Sequence, residues 1–397
     1  MYTFPTAQIK KNIKKSASMY DGGIYSFSNW TNGKIYTLIS NYTDTIMLNT
    51  AVFRPTESAV MNALITAHAK YPEADNSENM LRIANDEDGC TIQEYPRYWH
   101  GYLLYMIPAL HIMDVGDLKV IGMILQFFLT IMLVYLLGKK STLLMLLYGI
   151  VAAFINPVTT VLTFQEADIY CIMMVSMIII LLYNEKLKRG WYVTFFIING
   201  ICVAYFDFLT YPLVAFGVPL ILVLLLNESV SINDVIKKIT MYSLFWGIGY
   251  VGMWGGKWIA ASVFTGRNVF ADAFGAIKFR THGQYNNMVT YGSTLETIWD
   301  SINDIPMLVL LLITITICIF YLIKNRFRVS IDRIGIINSI GFLIISLFPF
   351  VWFFVVMNHS VIHPHLSYRE LSITIWALAA IFFTVLKPKI EQNNINE

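Results

Sequence analysis

The residues able to do chemistry gather in four stretches of this 397-residue chain. The first is Glu94-Tyr95-Pro96-Arg97-Tyr98-Trp99-His100-Gly101-Tyr102. Its Arg97 and His100 are suited to phosphate, because guanidinium binds phosphate bidentately. Its aromatics also fit a belt anchoring a helix at the headgroups. The second stretch is Gln165-Glu166-Ala167-Asp168. Glu166 and Asp168 are candidates for a general base or a divalent-metal ligand. They converge only if Glu166 precedes the helix and Asp168 sits in its first turn. Acidic residues equally suit a helix N-terminus electrostatically.

The third is Asp207, an acid among aromatics in Tyr205-Phe206-Asp207-Phe208-Leu209-Thr210-Tyr211-Pro212. It reads as a helix cap or as a member of a catalytic pocket. The fourth runs Asn358-His359-Ser360-Val361-Ile362-His363-Pro364-His365-Leu366-Ser367-Tyr368-Arg369-Glu370. His359 and His363 are four apart, so one helical turn puts both on a face. The favoured role is donation to phosphate by His359, His363 and Arg369, with Tyr368 beside them. Zinc lacks a third ligand at matching spacing. A plain polar turn is the alternative. Lys257, after Gly255-Gly256, and Arg280, beside His282, complete the basic candidates. Both fit substrate binding, and Arg280 equally fits anionic headgroups.

These residues need a scaffold, and the composition says which kind. Hydrophobic residues make up 56% and charged residues 14%. Soluble domains average roughly 45–50% and about 25%. Mean hydropathy is +0.57. The 28 Lys and Arg nearly balance the 26 Asp and Glu, so the basic excess of a nucleic-acid binder is missing. The four cysteines are scattered and specify no disulfide or metal framework. The reading is an all-α polytopic membrane protein.

The division expected is an extracytoplasmic, α-rich loop domain at 1–100, an interfacial or re-entrant helix at 101–116, a transmembrane helical domain at 117–386 and a cytoplasmic tail at 387–397. The first region is polar and carries Asn29-Trp30-Thr31, Asn41-Tyr42-Thr43 and an acidic stretch from Glu73 to Asp88. A span needs about 20 apolar residues. Nine candidates follow: 117–138, 141–157, 166–183, 191–206, 209–226, 240–257, 305–323, 334–357 and 369–386. The run 102–113 is too short to cross. The stretch 268–279 is amphipathic and fits the membrane surface.

Short loops with excess Lys and Arg stay cytoplasmic. Lys139-Lys140, Lys186/Lys188/Arg189, Lys237-Lys238, Lys324/Arg326/Arg328 and Lys387/Lys389 all fall on one side of this arrangement. Residues 1–116, the 158–165 loop, the 207–212 turn, the 258–304 loop and the 358–368 loop then lie outside. Met1–Lys15 has no apolar export core, so a first helix upstream of this sequence is expected. The spans hold few charges, whereas a transporter usually carries them at the midplane. The polar groups collect instead at the outer ends.

This arrangement resembles the GT-C membrane glycosyltransferases. The segments that carry the resemblance are Tyr95–Gly101, Glu166/Asp168 and Asn358 through Arg369, together with the large first outer loop. They are also similar to uncharacterised bacterial multi-pass membrane proteins. The resemblance implies transfer of a hexose or pentose from a polyprenyl-phosphate sugar to an extracytoplasmic glycan or lipid acceptor. It implies a carboxylate base, with Asp168, Glu166 and Asp207 as candidates. Arg97, His100, Lys257, Arg280, His359, His363, Tyr368 and Arg369 would bind substrate. No cofactor is required, although a divalent metal (Mg or Mn) could serve. The family often places an acid just after its first span, and Asp21 is the nearest acid to the start. The bilayer is the expected partner and nucleic acid is not. The rival readings are a transporter or flippase for a lipid-linked glycan, and a non-catalytic membrane scaffold.

Overall fold

The computed structural model describes residues 1–20, 24–26, 38–282, 284–285, 287–326 and 332–386. Asp21, Asn29-Trp30-Thr31, Arg328 and the 387–397 tail lie outside the described residues. The first part of the chain is α1 (Thr6–Lys15), β1 (Ile24–Ser26), β2 (Leu38–Ser40), α2 (Asn41–Val52), α3 (Ala59–Ile65), β3 (His68–Lys70), α4 (Asn76–Ala84), β4 (Thr91–Gln93) and α5 (Leu103–Ile112). β1 pairs antiparallel with β2, and β3 with β4. The α4 helix begins at a capping box, in which Asp75 accepts from Glu78 N and Glu78 accepts from Asp75 N. Ile9 and Ile13 of α1, Met47 and Leu48 of α2, and Leu103, Met106, Ile107 and Leu110 of α5 share one core. The 102–113 run therefore buries its apolar face against the preceding domain.

The remainder is α6 (Val115–Lys140), α7 (Thr142–Ile155), α8 (Pro157–Leu162), α9 (Phe164–Lys186), α10 (Tyr192–Phe206), α11 (Val214–Leu226), α12 (Ile232–Thr265), α13 (Val269–His282), a short β5–β6 pair (Gln284–Tyr285, Asn287–Met288), α14 (Tyr291–Ile302), α15 (Ile305–Lys324), α16 (Arg333–Ser346), α17 (Phe348–Val355), α18 (Met357–Ile362), α19 (Pro364–Ser367) and α20 (Leu371–Leu386). The protein is helical. Among the described residues, five helical stretches are long and apolar enough to cross a membrane: 115–140, 164–206, 305–324, 333–355 and 364–386. The apolar α7 and α11 are shorter. The exposed faces of α6 and α15 are apolar, including Phe127, Phe128, Leu311 and Phe320. Such a surface is stable in lipid and not in water, so this is a membrane protein.

Several boundaries depart from the sequence reading. The 164–206 stretch bends at Tyr183 and turns at Arg189-Gly190, where Gly190 takes φ +108. The α10 helix then packs beside α9. The 334–357 span is two helices that meet at Leu347, with Pro349 near the start of the second. Proline suits a helix's first turn because it lacks a donor. α10 and α12 approach so closely that a Cβ on Gly200 would lie 2.2 Å from Trp246 O. One on Gly249 would lie 2.2 Å from Ile197 O. Glycine at both positions is what lets the two backbones touch.

The α12 helix has 34 residues. At 1.5 Å per residue it is about 51 Å long, which exceeds the ~30 Å hydrocarbon core. Its last turns reach α3 of the first domain. It thus links the helical bundle to that domain.

Candidate functional site

The Tyr205–Pro212 turn is built by Asp207. Its carboxylate accepts from Leu209 N at 2.9 Å, Thr210 N at 2.9 Å and Thr210 Oγ1 at 2.5 Å. This is the Asx-turn chemistry that lets a chain reverse after a helix. Burial pushes the Asp207 carboxyl up to about 6, against those donors. Leu209, held by this turn at φ +72, then faces an apolar cavity.

That cavity is about 230 Å³. Tyr250, Trp254 and Trp258 of α12 form one wall, and Tyr98, Trp352 and Leu209 close it. The α12 residues continue a ladder begun by Trp246, with ring centroids 4.8, 4.7 and 6.3 Å apart in turn. Side chains four apart on a helix lie one above another, so four aromatics at that spacing give a continuous aromatic face, the first pair stacked and the next two tilted. α13 covers the cavity through Ala273, Ala276 and Ile277. Arg97 and Arg280 stand at its edge.

The same two arginines line a second, polar cavity of about 470 Å³, with Asp272, His359 and His363. Arg97 donates from Nη1 to both oxygens of Asp272 at 3.2 Å, and its guanidinium lies 4.3 Å over the Tyr95 ring. Arg280 donates from Nη1 to His359 Nδ1 at 2.7 Å. Asn358 fixes α13 by donating to Phe279 O at 2.8 Å. The His359 and His363 rings are 4.9 Å apart. Burial holds His359 well below the usual imidazole range, with the Arg280 charge adding to the effect. Burial brings His363 down to about 4. Both rings are therefore neutral near pH 7 and act as hydrogen-bonding groups, while the positive charge comes from the arginines.

The other sequence candidates sit elsewhere. Glu166 and Asp168 are both on α9, where positions two apart point to different sides, so they do not converge. Glu166 receives Arg369 Nη2 at 2.7 Å, and both side chains are fully buried. Arg369 also donates to Ile155 O at 2.9 Å, Thr159 Oγ1 at 2.5 Å and His365 O. Tyr368 meets Phe154 edge to face, centroids 5.7 Å apart. Asp168 accepts from Tyr105 Oη at 3.1 Å. Lys257 donates to Ala63 O at 2.7 Å and lies 5.3 Å over Trp99. His100 lies between Tyr95 O at 3.0 Å and Tyr102 Oη at 3.2 Å. None of these six, nor Asp207, lines either cavity.

Comparison with family models, curated proteins and solved structures finds no match to this chain. The site is therefore read on its own geometry. Four candidates, Arg97, Arg280, His359 and His363, meet at one place. Asp272 belongs with them, although its residue type alone placed it only on the polar face of an amphipathic stretch. The α12 ladder also escaped the sequence reading, and its signal was there in the four-residue aromatic spacing. Among the described residues, no three His, Cys, Asp or Glu side chains are grouped to hold a metal ion.

Proposed function

We propose that the protein is a membrane glycosyltransferase that moves a sugar from a polyprenyl-phosphate donor to a glycan or lipid acceptor outside the cytoplasm. The observation that supports this most is the adjoining pair of cavities, one aromatic and one cationic, which share Arg97, Ala276 and Arg280. A ligand that fits both has an apolar tail and an anionic head. Isoprenoid units pack on the Tyr250, Trp254 and Trp258 face, and the phosphate meets the two guanidinium groups, which suit it geometrically.

Charge develops on the phosphate as the bond from the anomeric carbon to its oxygen breaks. Cations already aimed at that oxygen lower the barrier. The acceptor hydroxyl forms the new bond to the anomeric carbon and gives its proton to a carboxylate. Asp272 is the one carboxylate among the described residues lining the two cavities. Phosphate binding at Arg97 competes with Asp272 for the guanidinium, so donor binding frees the base. Glu166 and Asp168 are engaged by Arg369 and Tyr105 and serve this reading as scaffold. In the same reading, nine spans put residues 1–116 and 258–304 on the outer side.

The test compares a null strain complemented with wild type, Asp272→Asn or Arg280→Ala, with envelope glycans and polyprenyl-linked sugars measured by mass spectrometry. Transfer should be lost in both variants, with one polyprenyl-phosphate sugar accumulating. Purified Asp272→Asn should still bind that donor, whereas Arg280→Ala should bind it at least ~10-fold more weakly, as for loss of a charged hydrogen bond. An unchanged glycan and donor pool in the null strain would refute transfer and favour transport or a scaffold role.

A further inference from the structure

Arg97 and Arg280 both reach the polar cavity, but partners of different charge hold them. Arg97 is bound by the Asp272 carboxylate, which opposes its charge at short range. Arg280 is bound by the His359 imidazole, Nη1 to Nδ1 at 2.7 Å. A guanidinium only donates, so Nδ1 is the acceptor and the ring proton belongs on Nε2. Burial keeps that ring neutral, so Arg280 retains its full charge. The bond uses one of the five N–H groups of a guanidinium and leaves four for an anion.

The backbone is held at the same place. Asn358 precedes His359 on α18 and donates to the carbonyl of Phe279, which precedes Arg280 on α13. Two consecutive residues of α18 thus grip two consecutive residues of α13, the first by its carbonyl and the second by its side chain. His359 is 3% exposed, and the His363 ring lies 4.9 Å from its own. A close-packed ring of this kind is a fixed acceptor. Immobilising a free arginine side chain costs about 2 kcal/mol of rotamer entropy. A guanidinium that is already fixed loses less of it when an anion binds, which raises affinity by preorganisation.

We infer that His359 is a positioning residue: its Nδ1 fixes Arg280 for an anionic group in the polar cavity, and His359 does not bind that group itself. The identity of the anion, an isoprenoid phosphate, rests on the transfer reading, whereas the grip on Arg280 stands apart from it.

The test uses the purified full chain in detergent, with farnesyl phosphate as the probe and farnesol as its uncharged control. His359→Phe keeps a ring and removes the acceptor. It should weaken farnesyl phosphate about 5-fold, the scale of one hydrogen bond, and leave farnesol unchanged. In an Arg280→Ala background the same change should have no effect, because two groups that act through one contact are not additive. His359→Asn puts an amide oxygen near the place of Nδ1 and should restore most of the affinity. His359→Gln, whose amide reaches the place of Nε2, should not. His359→Leu serves if the Phe variant does not fold. A loss that persists in the Arg280→Ala background would make His359 a direct ligand and overturn the inference. Without any ligand, phenylglyoxal should modify Arg280 faster in His359→Phe than in wild type or His359→Asn, as followed by peptide mass spectrometry. Equal rates in wild type and His359→Phe would also overturn it. A wild type that does not bind farnesyl phosphate would count against the transfer reading, and the Arg280 modification rates would still decide the positioning role.

Discussion

Arg369 and Glu166 carry opposite charges into a fully buried place, and the surroundings decide what that does. The guanidinium has four acceptors drawn from α7, α8, α9 and α19. Removing one partner of a buried pair leaves an uncompensated charge and costs about 3–5 kcal/mol. Arg369→Ala should therefore lower the unfolding temperature in detergent sharply. A double change with Glu166→Gln should recover part of the loss, and the thermal unfolding of the four-member cycle checks this. Equal losses in the single and double variants would show the pair to be uncoupled.

Asp207 gives a second prediction of this kind. Its carboxyl titrates near 6 in the folded chain, above its ordinary value of 3.8. A carboxyl raised on folding contributes stability that is complete below the unfolded value and is lost as pH rises through the folded one. Stability should thus fall between about pH 4 and pH 6, by about 3 kcal/mol. Asp207→Asn keeps an acceptor for the turn and should flatten that window. Unfolding temperatures measured from pH 4 to pH 7 test this, and an unchanged slope in the variant would assign the fall to other groups.

At the scale of elements, the two halves of the chain are joined by a cap. Asp44 of α2 accepts from Phe164 N at 3.0 Å and Gln165 N at 3.4 Å, at the start of α9. Lys119 of α6 is 3.5 Å from the same carboxylate. Asp44 is fully buried, and burial raises its carboxyl while Lys119 and the two amides oppose that rise. A domain carboxylate thus serves a membrane helix's free donors, the usual role of an N-cap. Asp44→Ala removes the cap and strands Lys119, so it should destabilise by about 2 kcal/mol or more. Asp44→Asn retains the amide contacts and should fall in between, as read by thermal unfolding.

Such a contact between positions 120 apart leaves no local trace, because a buried Asp on α2 has the same sequence appearance as an exposed one. The apolar runs, by contrast, were legible, since lipid selects composition over a whole helix. Periodicity also marked α13. It did not show that Arg369 would meet Glu166 instead of a cavity, because that depends on how the turn before α20 comes to lie against the start of α9. The turn at Gly190 and the break before Pro349 shifted boundaries for local reasons that residue type alone partly signals.

For the whole molecule, the transfer reading turns on sidedness, and the chain contains its own reporter. Cys90 lies in the first domain and is half-buried, while Cys171, Cys202 and Cys318 lie on the apolar helices α9, α10 and α15. The basic turns after α6 and α9 and at the start of α12 share one side if the helices alternate across the bilayer, and the rule for short loops places that side in the cytoplasm. In the transfer reading the first domain, α13 and the cavity pair face outward, where the acceptor would reach them. A membrane-impermeant maleimide added to intact cells should label Cys90, and Cys90→Ser should abolish that labelling. Labelling that appears only after permeabilisation would reverse the topology. It would also deny the cavity pair access to an external acceptor, and the transfer reading would fall with it even though the fold and its buried ion pair stayed as they are.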